Sequence, residues 1–304
     1  MMPGSAAWRR WWDAPAPALR LAIVRALVGV YCLALCAVIA AELPRLLALP
    51  AARFAPVGLL TWSPGPPGAA LTWLGLAATV TLGLMFTCGV RYRGAAPLLA
   101  VALLWLTSLR HSWGHLGHGE HLVVLHVLVL AVAPAADAAS VDARRRSATT
   151  AADPGRYGWP LRVMAMTTIL TYALAGWAKL HTDAVGWLQG DAVRLQVAFD
   201  AARKARLGVT PPLLARWLVP YAGAFAPLSA LTLLVELGGV VALAGRRAAI
   251  VWSAAAWTMH VGIAAVMGIS FGFPLFGLAF APLLRVERVA AAARRAWRRH
   301  GRRR

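Results

Sequence analysis

Charge is what this sequence has least of. Charged residues fill 14% of its 304 positions, where a soluble domain carries roughly 25%. Asp and Glu together number 11, too few to clothe a water-soluble fold of this size. Lysine occurs only at 179 and 204, so 29 of the 31 basic residues are arginine. Together with the abundance of alanine, that skew reads as genomic base bias, and most arginines carry little individual meaning. Cysteine is scarce too, and three of them exclude a disulfide framework. Cys32 and Cys36 lie one helical turn apart in an apolar run and read as small hydrophobes facing lipid or a neighbouring helix. The longest polar stretches, 135–158 and 181–216, are too short to fold alone, so no separate soluble domain is expected. No internal repeat is visible.

Apolar residues are present in excess: 60% of the chain, with a mean hydropathy of +0.64, against roughly 45–50% in soluble proteins. No globular core absorbs that much apolar surface, so the surplus faces lipid. Hydrocarbon offers the backbone no hydrogen-bond partners, which leaves helices as the structure. The expected fold is all-α, a polytopic transmembrane helical bundle. Eight apolar runs can be drawn, near 19–41, 69–90, 95–109, 119–134, 159–180, 217–244, 248–268 and 271–285. The third and eighth are short, which makes the range seven to nine. Pro and Gly mark the breaks, at Pro44, Pro50, Ser63–Gly68, Pro134, Pro154-Gly155 and Pro211-Pro212. The run from Leu21 to Ala41 is longer than a signal-peptide core and reads as an uncleaved first helix.

The net charge of +20 invites a nucleic-acid reading, but the basic residues sit between apolar runs or in the tail Arg294–Arg304. That pattern orients a membrane protein and meets anionic lipid, so no nucleic-acid partner is expected. With both termini inside, the inner segments hold 21 basic residues and the outer ones 8. The chain therefore divides into a cytoplasmic segment 1–18, a transmembrane domain 19–288 and a basic cytoplasmic tail 289–304, in the plasma membrane. The stretch after Lys179 is more than a loop. Asp191 is placed to cap a helix that Gly208 closes, with Leu195, Phe199 and Ala202 on one face and Arg203, Lys204 and Arg206 at its end. It reads as an outer interfacial amphipathic helix.

Ionisable residues inside apolar runs are the places to look for chemistry. Lys179 ends the fifth run, where an ammonium is costly; it is either a base or a snorkelling anchor. Glu236 and His260 lie within runs six and seven. They serve either chemistry or a structural bond, Glu236 to His260 or to Arg25. His111, His115, His118, His121 and His126 cluster in one stretch. The spacing of the first three suits a metal, but Gly114, Gly117 and Gly119 argue for a loop, and no thiolate or ordered carboxylate set completes a site. No metal is expected there.

At these residues the chain resembles a family. Tyr172, Ala175-Gly176, Lys179-Leu180, Trp187 and Gly190 are similar to the signature of the HTTM family, the transmembrane domain shared with vitamin K-dependent gamma-glutamyl carboxylase. Gly117-His118-Gly119, Ser140-Val141-Asp142, Glu236-Leu237, Met259-His260 and the stretch Phe271–Phe280 fit the same ordered pattern. The resemblance implies that Lys179 is a base acting on a reduced menaquinone or vitamin K-like quinone. His260 and Glu236 join it as catalytic residues, and Tyr172, Trp187 and His118 as substrate-binding ones. An enzyme of this kind is a quinol-dependent oxygenase or a carboxylase-like lyase. Two departures matter: Asp137 stands where the carboxylase has a histidine, and the large C-terminal domain that engages protein substrate has no counterpart before residue 304. A second expectation is therefore carried, that of a non-enzymatic membrane partner or maturation factor for an exported peptide or companion protein.

Overall fold

The structure is a computed structural model that describes residues 11–12, 14–114, 117–146 and 154–301. Among these residues every regular element is helical and there is no strand. In chain order the helices are α1 (Ala18–Leu47), α2 (Ala69–Cys88), α3 (Tyr92–His111), α4 (His121–Val132), α5 (Val141–Arg145) and α6 (Gly158–Gln189). They continue with α7 (Asp191–Arg206), α8 (Leu213–Leu218), α9 (Phe225–Leu237), α10 (Arg246–Met267), α11 (Gly272–Leu275) and α12 (Val286–Gly301), with short 3₁₀ turns between them. Among the described residues six spans are long and apolar enough to cross a membrane: α1, α2, α3, Gly155–Gln189, Ala222–Ala244 and α10.

The chain forms two compact units: one of residues 1–164 with 285–304, the other of residues 165–284. In the first unit α1 to α4 pack side by side and α12 returns against α1. The Tyr92 hydroxyl donates to the Leu130 carbonyl at 2.7 Å, which sets the end of α4 beside the start of α3. One end of this unit gathers basic residues. Arg20 forms a two-pronged pair with Glu287 at 2.8 and 2.9 Å, and Arg146 reaches Asp137 at 2.8 Å. The fully buried Arg25 donates to the carbonyls of Ala135, Thr87 and Ala139 at 2.8 to 3.2 Å, tying three segments of the same end together. The opposite end carries Arg110, paired with Glu42 at 2.7 Å and also with Glu120.

The junctions explain where helices stop. Gly89 closes α2 in the left-handed region (φ +66°), and a β-carbon there would run into Ser140 and the Arg25 guanidinium. Only glycine fits. In the second unit α9 and α10 pack antiparallel through the turn at Gly245, and α7 and α8 lie against them. A small core of Val197, Ala215 and Phe225 holds that corner.

Several sequence boundaries need correction. Pro44 does not end the first helix: α1 runs on to Leu47, because a proline removes one bond near the end and the last turn persists beyond it. The fifth run continues to Gln189 only across a break at Asp183, so Lys179 sits in the last turn before that break, at the end of the apolar helix where the sequence places it. The eighth run is not one helix but α11 and a 3₁₀ segment Leu278–Leu283, interrupted at Gly277. Asp191 is not a cap; Gly190 (φ +86°) occupies that position and Asp191 sits in the first turn, where the helix dipole favours its charge.

Candidate functional site

In the second unit α6 presents Tyr172, Gly176 and Lys179 at helical one-face spacing. Gly176 faces α9, and a β-carbon on it would stand 3.0 Å from the Glu236 β-carbon. The missing side chain lets α9 come close enough for Lys179 Nζ to pair with Glu236 Oε1. The Lys179 side chain is 22% exposed and that of Glu236 only 7%. The second carboxylate oxygen, Oε2, is buried without a hydrogen-bond partner. The Trp187 ring covers the ammonium with its centroid 5.0 Å from Nζ, a cation–π arrangement.

Trp187 reaches that position because α6 breaks. Asp183 leaves the helical region (φ −158°, ψ 72°), and its carboxylate accepts from the Gly186 N–H at 2.9 Å, restarting the helix on a new course. The buried Ser229 hydroxyl donates to the Trp187 carbonyl. At Gly190 a β-carbon would run into the Phe225–Ala226 backbone. The segment from Asp183 to Gly190 is thus held against α9 at Trp187 and Gly190, with the Trp187 ring over the lysine.

A second buried pair lies along the same face of α6. The Tyr172 hydroxyl and His260 Nε2 are joined by a hydrogen bond of 2.7 Å. Aromatic rings surround them: Trp252 meets Tyr172 edge-on at 5.2 Å, and Phe271 lies 5.3 Å from His260. Trp252 is itself held by its indole N–H on the Val235 carbonyl at 2.9 Å. His260 Nδ1 is buried and unpartnered.

Five of the residues singled out by sequence, Tyr172, Lys179, Trp187, Glu236 and His260, therefore come together in one unit. The structural alternatives for Glu236 resolve to a different partner, Lys179, while Arg25 spends its donors on carbonyls. The His118 side chain and all of His115 lie outside the described residues. His111, in the first unit, sits 3.4 Å from Glu120. Among the described residues no group of three or more His, Cys, Asp or Glu is arranged to hold a metal. Ser140-Val141-Asp142 is architectural: Ser140 caps α5 at 2.9 Å, and Asp142 accepts the N–H groups of Arg91 and Tyr92 that open α3. Asp137 accepts from Arg146 and Tyr157. Sequence reasoning missed Ser229, Asp183 and Trp252; the spacing Asp183–Gly186 was the one available cue for the break.

These features define the class: a multi-pass helical membrane protein with a part-buried lysine–glutamate pair and a buried tyrosine–histidine pair among its spans. The chain belongs to the HTTM domain family, whose model matches residues 14–284. No curated protein and no solved structure matches it.

Proposed function

We propose that the second unit takes up a lipid-soluble, weakly acidic ligand, a reduced menaquinone or vitamin K-like quinone, and accepts a proton from it at Lys179. The observation that carries this reading is the Lys179–Glu236 pair, with a buried carboxylate and a part-buried ammonium, within long apolar helices and covered by Trp187. A charged pair in such a place is costly and calls for a use. Because Glu236 stands beside it, Lys179 can hand its proton to the carboxylate and present a free amine as a base. The residues suit a hydroquinone. Glu236 Oε2 and His260 Nδ1 are buried polar atoms without partners, and Tyr172, Trp252, Phe271 and Trp187 surround the two pairs with aromatic surface. When bound, a reduced quinone supplies the electrons for an oxygen-dependent step.

The test is substitution at Lys179 in membranes supplied with menaquinol. Lys179→Ala should lower quinol-dependent oxygen consumption by on the order of 10²–10⁴, the usual contribution of a general base. Lys179→Arg should do no better, because a guanidinium stays protonated. Wild-type membranes without quinol-dependent oxygen consumption, with both variants retaining the biological phenotype, would reject the reading. Partnership with an exported peptide or companion protein would then take its place.

A further inference from the structure

Residues 190–221 connect two spans at their neighbouring ends. Gly155–Gln189 arrives there and Ala222–Ala244 departs, so α7 and α8 sit where both spans meet the membrane surface. The antiparallel α10 returns to the same level. Its last carbonyl, Met267, accepts from Lys204 Nζ of α7. The inward side of this hairpin is packed and bonded. Val197 and Ala215 pack on Phe225, Arg194 donates to the Val219 carbonyl at 2.9 Å, and Asp200 accepts from Arg203 at 2.8 Å and Lys204 at 2.5 Å.

The outward side is another matter. Leu195, Phe199, Trp217 and Tyr221 are 64–71% exposed, while Val197 and Ala215 between them are buried, so we read the four as one apolar ridge on the outward side of α7, α8 and the turn after it. In water such a ridge invites association. At the surface of a bilayer it has a partner already, since aromatic rings prefer the headgroup level. Cations border it. Arg206 and Arg216 are exposed, and Arg203, held by Asp200, keeps 54% of its side chain open. Of the two acids in the hairpin, Asp200 is bound to Arg203 and Lys204, and Asp191 lies at the opposite end of α7. Apolar ridge and cationic border together match the two layers of an anionic leaflet.

We propose that the α7–α8 hairpin is a lipid-binding element. Its ridge is sunk among the upper acyl chains, and Arg203, Arg206 and Arg216 hold the phosphates of anionic phospholipid headgroups. The site is separate from the lysine chemistry and stands whether or not that reading holds. An in-plane helix of this kind buries its apolar face about 5–10 Å deep, and each cation near the surface favours anionic lipid by roughly fivefold.

The test uses the full chain carrying Cys32→Ala, Cys36→Ala and Cys88→Ala, with a single fluorophore attached through Phe199→Cys. The protein is reconstituted in phosphatidylcholine vesicles with and without phosphatidylglycerol. Quenching by nitroxide-labelled phosphatidylglycerol should exceed quenching by nitroxide-labelled phosphatidylcholine by at least about threefold. The combined Arg203→Gln, Arg206→Gln and Arg216→Gln changes should abolish the difference. Arg206→Gln alone, at an exposed helix end, should reduce it partway without touching the fold. A label quenched by aqueous iodide and not by either lipid would overturn the buried ridge. A preference that survives the triple change, or that inorganic phosphate erases, would overturn headgroup binding.

Discussion

Gly176 acts through what it lacks. Its bare α-carbon brings α6 and α9 together at the level where Lys179 meets Glu236. Gly176→Leu must push Glu236 or Leu237 aside, at a cost of about 1–3 kcal/mol. Thermal unfolding in detergent should show a lower midpoint for Gly176→Leu, with Gly176→Ala in between. A leucine variant as stable as wild type would mean the helices are not in close contact. The ionisable members of the site were legible in the sequence, because Lys179, Glu236 and His260 interrupt apolar runs and such residues seldom sit there without a partner. Their pairing was not legible, since Glu236 had several basic residues to choose from. Ser229 left no mark at all: a serine in an apolar helix usually bonds its own backbone, and here its hydroxyl crosses to Trp187.

Among the helices, the junctions carry more information than the interiors. Arg91 opens α3 from the left-handed region (φ +45°), a conformation that costs a side chain about 1 kcal/mol or more. The carboxylate of Asp142 offsets this by accepting two N–H groups of the first turn. Partial burial pushes the Asp142 carboxyl upward. The bonds from Tyr92 and Arg91 and the charges of Arg146 and Arg145 outweigh it and hold the group below its ordinary range. A lowered folded value means the stabilisation is present above the unfolded value and lost as pH falls through the folded one. Asp142→Ala should therefore cost about 0.5–2 kcal/mol at neutral pH, and denaturation of the two proteins should converge in strong acid. A difference that persists there would assign the effect to packing. Helix type could be read from apolar runs, but helix ends could not. Pro44 sits in a last turn that tolerates it, and the Asp183 break hides in a stretch that looks simply polar.

For the molecule as a whole, the lopsided basic residues are the most legible feature. Hydrogen bonds place Arg20, Arg25, Arg91 and Arg146 at one end of the first unit, and the segment 55–59, bonded to Ser108 and Ser112, at the other. The inner-face rule predicts that the basic end faces the cytoplasm. In a chain without its native cysteines, Trp62→Cys should react with an impermeant thiol reagent from outside the cell, and Arg145→Cys only after lysis. Labelling of Arg145→Cys in intact cells would reverse the orientation. The division into two units was invisible in the sequence, because both are built from the same apolar helices and no polar linker separates them. The pair between Arg20 and Glu287 adds a matter of timing. Its partners are 267 residues apart, and every residue of the second unit is made between them. At a synthesis rate of ~5–20 residues per second, Arg20 waits on the order of 15–50 s for its carboxylate. The first unit to begin is thus the last to be finished, and α12 is the clasp that closes it.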